Sequence, residues 1–341
     1  MFIPRFFTDT FAALPPAGGL TWRRTQATWR ALGGPASAEL STGLDEPAAF
    51  SSLLALLGRP LVLDDAAGEP AWWGWISTVE LAEGGLRTAW SLDRLANRVR
   101  TLYTVNTGER LFTPWAEDLR SQARFGVREA LVRAQGPGEE AALAARDAAL
   151  ATRAWPAPAM AMAQPAEHPQ VTLRARGWWA RLDSLLADVP TGAPLSDTAE
   201  QAAGLALAAG GDFFSAAFVH DLSGRLTDPQ RDGTRSTLAE VEDLLALGTA
   251  DGADLVAWVD ARRDLHIARA DGSALAGRLR EDGVACWENG RPLAPSVRLA
   301  GRRMLPPESA YATLAGQAKG GGLLVQEARS DGETLHVTLA G

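Results

Sequence analysis

WWGWISTVELAEGGLRTAWSLDRLANRVRTLYT, residues 72–104, decides how the rest of the chain is read. Trp72, Trp73, Gly74, Trp75 and Ile76 open a strand rich in aromatic and β-branched residues, which continues to Leu81. Gly84-Gly85 breaks it, and a second strand follows. The segment then runs through Ser91-Leu92-Asp93-Arg94-Leu95-Ala96-Asn97-Arg98-Val99 to Tyr103-Thr104. No acid, base or nucleophile stands out with a partner. A stretch built to pair strands and bury rings points to a structural or binding protein.

Side chains alternate along a strand, so Trp73 and Trp75 share one face and Trp72 takes the other. One face is expected to be core and the other a contact surface, for another subunit or for a glycan. Upstream, Asp45-Glu46-Pro47 starts a short helix carrying Leu53, Leu54, Leu56 and Leu57, and Gly58-Arg59-Pro60 ends it. Leu61-Val62-Leu63 is then a strand, and Asp64 to Gly68 a turn that makes a hairpin with the tryptophan strand.

Downstream, residues 106–135 read as a linking region with a helical turn or two over Asp118–Phe125 and a half-buried strand over Val127–Gln135. Glu139–Thr152 is the clearest helix, with Glu139 and Glu140 at its positive end. Residues 157–169 have a linker's composition. Val171–Arg176 alternates as a strand, Gly177-Trp178-Trp179 follows, and Ala180–Ala187 reads as a short helix. Ser196 is expected to cap a helix over Asp197–Ala209. Phe213–His220 is a strand. Ser236 or Thr237 starts a helix whose Leu238, Val241, Leu244 and Leu245 recur at spacings of three and four, closed by Gly248. Asp254–Val259 and Asp264–Ala268 form a strand pair. Strand-rich ends around a helical middle give an α+β, multi-domain chain with units at 1–105, 106–195, 196–270 and 271–341.

Composition narrows the function. The 341 residues are enough for two or three cores. Net charge is −8, and no basic cluster exceeds two or three residues, which argues against a sequence-specific DNA reader. Lys319 is the only lysine among 33 basic residues, a ratio that codon usage alone produces. Cys286 is the only cysteine, so no internal disulfide framework exists, and it reads as a small core residue. Arg5 and Asp9 interrupt the N-terminal apolar run, so no signal peptide is expected, and nothing approaches the roughly 18 apolar residues of a membrane span. Synthesis in the cytoplasm follows from that reading.

No cofactor, metal or catalytic set emerges. His168, His220, His266 and His336 are far apart and lack ligand spacing. His220-Asp221 with Asp212 could make a base and its orienter, but no G-x-S-x-G elbow accompanies them. The acids from Asp221 to Asp232 lack EF-hand order and read as solvated turns. Gly320-Gly321-Gly322 has no following Lys-Ser/Thr and is not a phosphate loop.

At these residues the chain resembles phage and prophage tail-tip proteins of the baseplate or tail-hub class. The resemblance is carried by Trp72–Ile76, with one Trp more than usual, by Ser91–Val99, and by Tyr103-Thr104. Ser121–Gly126 resembles the class's serine-x-x-arginine-tyrosine-glycine turn, with Phe125 in place of Tyr. Gly177-Trp178-Trp179 and Gly211-Asp212-Phe213-Phe214 follow in order, and the likeness spans about 70–260. It implies barrel-like β-domains with peripheral helices, self-association as a trimer, contact with other tail proteins, and a place in the virion tail joining the tube to spike or receptor-binding parts. Trp72, Trp73, Trp75, Arg94, Asn97, Arg98, Trp178 and Trp179 are the interface candidates. Two other readings stay open: an adhesin binding host-surface glycan through Trp73 and Trp75, and a cell-wall hydrolase using carboxylates such as Asp221 and Asp232.

Overall fold

A computed structural model describes most of residues 2–270 and, beyond them, the segments 287–288, 291–292, 296–300, 325–330 and 334–339. In chain order the first elements are β1 (Ile3–Phe6), β2 (Trp22–Arg30), β3 (Gly34–Gly43), α1 (Ala48–Leu54), β4 (Pro60–Asp64), β5 (Pro70–Glu83) and β6 (Leu86–Ser91). Then come β7 (Arg98–Thr104), β8 (Arg110–Phe112), β9 (Ala116–Glu117), α2 (Leu119–Phe125), β10 (Glu129–Arg133) and α3 (Glu139–Arg153). They are followed by β11 (Pro158–Met162), β12 (Gln170–Gly177), a 3₁₀ helix (Trp178–Ser184), β13 (Leu186–Val189), β14 (Ser196–Asp197) and α4 (Thr198–Gly210). After these lie β15 (Ala216–Val219), β16 (Leu226–Thr227), β17 (Arg231–Ser236), α5 (Thr237–Ala246), β18 (Leu255–Val259) and β19 (Asp264–Arg269). The last strands are β20 (Trp287–Glu288), β21 (Arg291–Pro292), β22 (Ser296–Ala300), β23 (Val325–Ser330) and β24 (Thr334–Leu339). The architecture is α+β.

The tryptophan strand organises the largest sheet, an eleven-stranded half-barrel running β1-β4-β5-β12-β3-β2-β23-β24-β22, with β6 and β11 branching from β5. At 14 residues, β5 is long enough to hold two partners in succession along one edge. Its first half pairs with β4 and its second half with β6, while β12 runs along the other edge. Glu83 faces Leu86, so Gly84 and Gly85 form a two-residue hairpin loop. Both have positive φ, the backbone that such a loop demands and glycine supplies without strain. Val171, Leu173 and Ala175 of β12 alternate into the core. Gly74 and Gly177 face each other across the β5–β12 ladder. A Cβ at Gly177 would overlap the Pro35 carbonyl, and one at Gly74 the Arg176 carbonyl, so the backbones approach there as only glycine allows.

A second sheet, β10-β7-β8 with β9 beside β7, includes the parallel pair β7–β10. Asp118 caps α2 by accepting from the Ser121 amide at 2.9 Å, and Gly126 closes it at φ +69. The expected α3 is present over Glu139–Arg153, and the expected strand at 127–135 is β10. The segment 157–169 is not simply a linker: Pro158–Met162 adds to β6 as an edge strand.

In the third part, α4 and α5 pack on each other, and α4, α5 and the sheet β15-β19-β18 form one packed group. Ser236 caps α5 through Ala239, and Gly248 ends it at φ +67. The cap of α4 differs from expectation. Ser196 sits in β14, and Asp197 accepts the Ala199 amide at 2.8 Å. The short helix expected over 180–187 is instead 3₁₀ over Trp178–Ser184, and β13 takes the following residues.

The strand registers run across the expected divisions of the chain. A boundary at 105 would separate β7 from β8, β9 and β10 of its own sheet. β12, expected in the 106–195 unit, is an inner strand of the first sheet between β3 and β5. β23, in the expected 271–341 unit, pairs with β2 and extends that sheet. The helix-start residues Asp45, Glu46 and Pro47 and the singled-out Asp212, His220, Asp221, Cys286, Lys319 and Gly320–Gly322 lie outside the described residues.

Candidate functional site

The interface candidates divide sharply by burial. Trp72, Trp73 and Trp75 are 0%, 1% and 4% exposed, so neither face of β5 is a contact surface. The open face is missing because the rest of the chain packs over the half-barrel. The Trp73 indole donates to the Val259 carbonyl of β18 at 2.9 Å, and Trp75 lies under a guanidinium of the second unit. Trp178 and Trp179 are buried as well; Trp178 packs against Phe11, and Trp179 donates to Glu242.

Asn97 is also internal. Its amide nitrogen donates to the Gly126 carbonyl at 2.9 Å and to Ser121, and its oxygen accepts the Arg128 amide at 2.7 Å. It bridges the end of α2 and the start of β10, a role set by contacts about thirty residues away in sequence. Arg98 is half-buried, bonded to Glu129 at 2.9 Å and paired with Glu117 at 2.8 Å, with its guanidinium over Trp115. Arg94 remains exposed.

Beside Arg94 opens a cleft of about 920 Å³. The 91–97 loop, β6, β11, the end of α3 and the 3₁₀ helix frame it, with Trp75 and Arg128 in its lining. Arg128 is only 5% exposed, and its guanidinium lies 4.6 Å over the Trp75 ring. Among the described residues this guanidinium makes no ion pair and its Nε no hydrogen bond. Burial pulls its pKa down to about 9; nearby Asp93 raises it and Arg176 lowers it. It therefore stays charged at neutral pH. Asp93 itself is paired with Arg176 at 3.0 Å. The sequence offers no signal for Arg128, because an arginine ahead of a strand is ordinary until the fold covers it.

His266, Asp260 and Asp232 have structural partners. His266 stacks on Phe218 and Trp258, and its Nε2 is 3.5 Å from Asp260. Burial raises the Asp260 pKa, but the hydrogen bond from His266 and the amides of Asp264 and Arg262 outweigh it and hold the carboxyl below its usual value. Asp232 accepts from the Thr234 hydroxyl and amide, which also keeps it low. An acid held ionised in this way is no proton donor at neutral pH. His168 is exposed. Among the described residues no three His, Cys, Asp or Glu side chains are placed to hold a metal, and no helix is long and apolar enough to cross a membrane.

Comparison with known proteins adds the following. No protein-family model and no curated protein matches the sequence. The fold aligns with a 43 kDa tail protein of prophage MuSo2 from Shewanella oneidensis, with TM-score 0.47 and 10% identity, over 100% of this chain and 98% of that one. It aligns with an E. coli component of the type VI secretion system, itself described as similar to the T4 tail proteins gp27 and gp5. There the TM-score is 0.40 and the identity 9%, over 94% of this chain and 73% of that one. A tail protein from Neisseria meningitidis MC58 gives TM-score 0.40 and 10% identity, over 99% and 95% of the two chains. The functional reading rests on the chain's own residues.

Proposed function

We propose that the chain is a structural subunit of a phage or phage-like tail tip, self-associating as a trimer and joining the tail tube to spike or receptor-binding parts. The sequence resemblance over Trp72–Gly126 and beyond supports the class. The observation that carries the assembly role is the edge strand β11. It pairs with β6 alone among the described strands, and all five of its residues are exposed. Met160 and Met162 are 75% and 83% exposed, the most open large hydrophobics described. Soluble proteins blunt such edges with lysines, bulges or covering loops. β11 has only Pro158 at its start. A bare, apolar edge is a liability in a monomer and a joining surface in an oligomer, where the neighbouring subunit supplies the missing strand and covers the methionines.

The adhesin reading loses its motivation, because Trp73 and Trp75 are core residues. The role proposed is not enzymatic.

Light scattering across a concentration series tests the proposal. A trimer is expected for the native chain, and Met160→Lys with Met162→Lys should return it to a monomer with an unchanged circular dichroism spectrum. A native chain that stays monomeric at every concentration would sink the self-association reading.

A further inference from the structure

The cleft beneath Trp75 carries an inference independent of any place in a tail. We propose that it is a binding site for an extended peptide whose side-chain carboxylate pairs with Arg128. Burying a guanidinium without a partner costs several kcal/mol; Arg128 is 5% exposed, no carboxylate among the described residues pairs with it, and an anion entering the cleft would relieve that cost. The guanidinium lies 4.6 Å over the Trp75 ring, and its planar fork can meet a carboxylate with two hydrogen bonds. Asp93, whose charge acts on it, is already held by Arg176, and Glu129 by Arg98.

The rim adds to the attraction. Arg94 and Arg153 both line the cleft and are exposed. Cations around a recessed mouth focus the field on an incoming anion. The same lining contains Asp93, Glu129 and Asp183, which would repel the successive charges of a nucleic-acid or polyphosphate chain. One isolated carboxylate matches this pattern better than a polyanion. A peptide is favoured as its carrier because apolar groups of Leu92, Leu95, Pro156, Pro158 and Ala159 share the lining. An extended segment can lay its apolar side chains on that wall while alternate residues point at the arginine.

Calorimetric titration of the full chain with a blocked pentapeptide of alternating valine and glutamate, against its glutamine counterpart, tests this. The glutamate peptide should bind at least about tenfold more tightly, the scale of one charge-assisted hydrogen-bonded pair. Arg128→Met should abolish the preference while the thermal midpoint holds or rises. The exposed pair Arg94→Ala with Arg153→Ala should weaken glutamate-peptide binding several-fold, and it decides the matter if Arg128→Met does not fold. Absent binding, equal binding of the two peptides, or a preference that survives these changes would overturn the site. Inorganic phosphate displacing the glutamate peptide at equal concentration would overturn the peptide as its ligand. Since oligomeric state is not the readout, failure here leaves the assembly proposal standing, and the reverse.

Discussion

Trp73→Phe should destabilise the protein by about 2–4 kcal/mol, because Trp73 is the peg between the half-barrel and β18. Its indole nitrogen donates to the Val259 carbonyl at 2.9 Å, across 186 positions of sequence, and the ring is 1% exposed. Phenylalanine keeps one ring and loses the donor. The missing pyrrole portion leaves roughly 40 Å³, worth about 1 kcal/mol at the usual cavity coefficient. The Val259 carbonyl loses a buried partner, which adds about 1–3 kcal/mol. Urea unfolding followed by far-ultraviolet circular dichroism reads the total. Hydrogen exchange reads its location: Val259 and its neighbours in β18 should lose protection more than β3 or β12. A loss below about 1 kcal/mol, or protection lost evenly across the sheets, would refute the view that this bond couples the two parts.

Asn97→Ala removes the partner of two buried donors and acceptors at once and should cost about 3 kcal/mol or more by the same denaturation assay, where an exposed contact residue would cost almost nothing. The Asp118 carboxyl accepts the Ser121 amide and the Trp155 indole, and these bonds hold its pKa below the usual value. A carboxyl depressed in the folded state adds stability above its unfolded pKa of about 4 and loses it as pH falls through the folded value. Asp118→Asn keeps the cap without the titration. The native chain's advantage in thermal midpoint over this variant should therefore shrink as pH drops below about 4, and a constant difference would contradict the assignment.

Local features were legible where a few neighbouring residues decide them. Gly84-Gly85 announces a hairpin because two consecutive positive φ angles suit glycine. The alanine- and glutamate-rich run of α3, and the Ser236 cap with the Gly248 stop of α5, are likewise set within a turn or two. The strand order of the largest sheet was not legible, because β12 inserts between β3 and β5 from some ninety residues downstream of β5. A period-two pattern says which residues share a face but not whether a second layer covers it. That is why three tryptophans expected to include a contact surface are all core. The α4 cap failed for a smaller reason. Ser196 and Asp197 both pair with β16, and the helix begins at Thr198, so Asp197 is the residue beside it that accepts the amide.

The cleft stands out against the way this chain otherwise spends its arginines. Where its units meet, backbone carbonyls end without sheet or helix partners, and a guanidinium from a different element satisfies them. Arg181 of the 3₁₀ helix donates to the Phe125 and Val127 carbonyls, each at 3.1 Å. Arg124 of α2 reaches the Ala55 and Leu57 carbonyls after α1, and Arg100 of β7 reaches Gly233 in β17. The planar fork suits this task, since two carbonyls can be met in one plane. Arg128 is buried like Arg100 and Arg181 and sits at a similar junction, yet no carbonyl or carboxylate among the described residues meets its guanidinium. A residue serving only the junction would be expected to find such a carbonyl. The Arg128 fork, over Trp75 at the cleft, is the group that the proposed peptide carboxylate would meet.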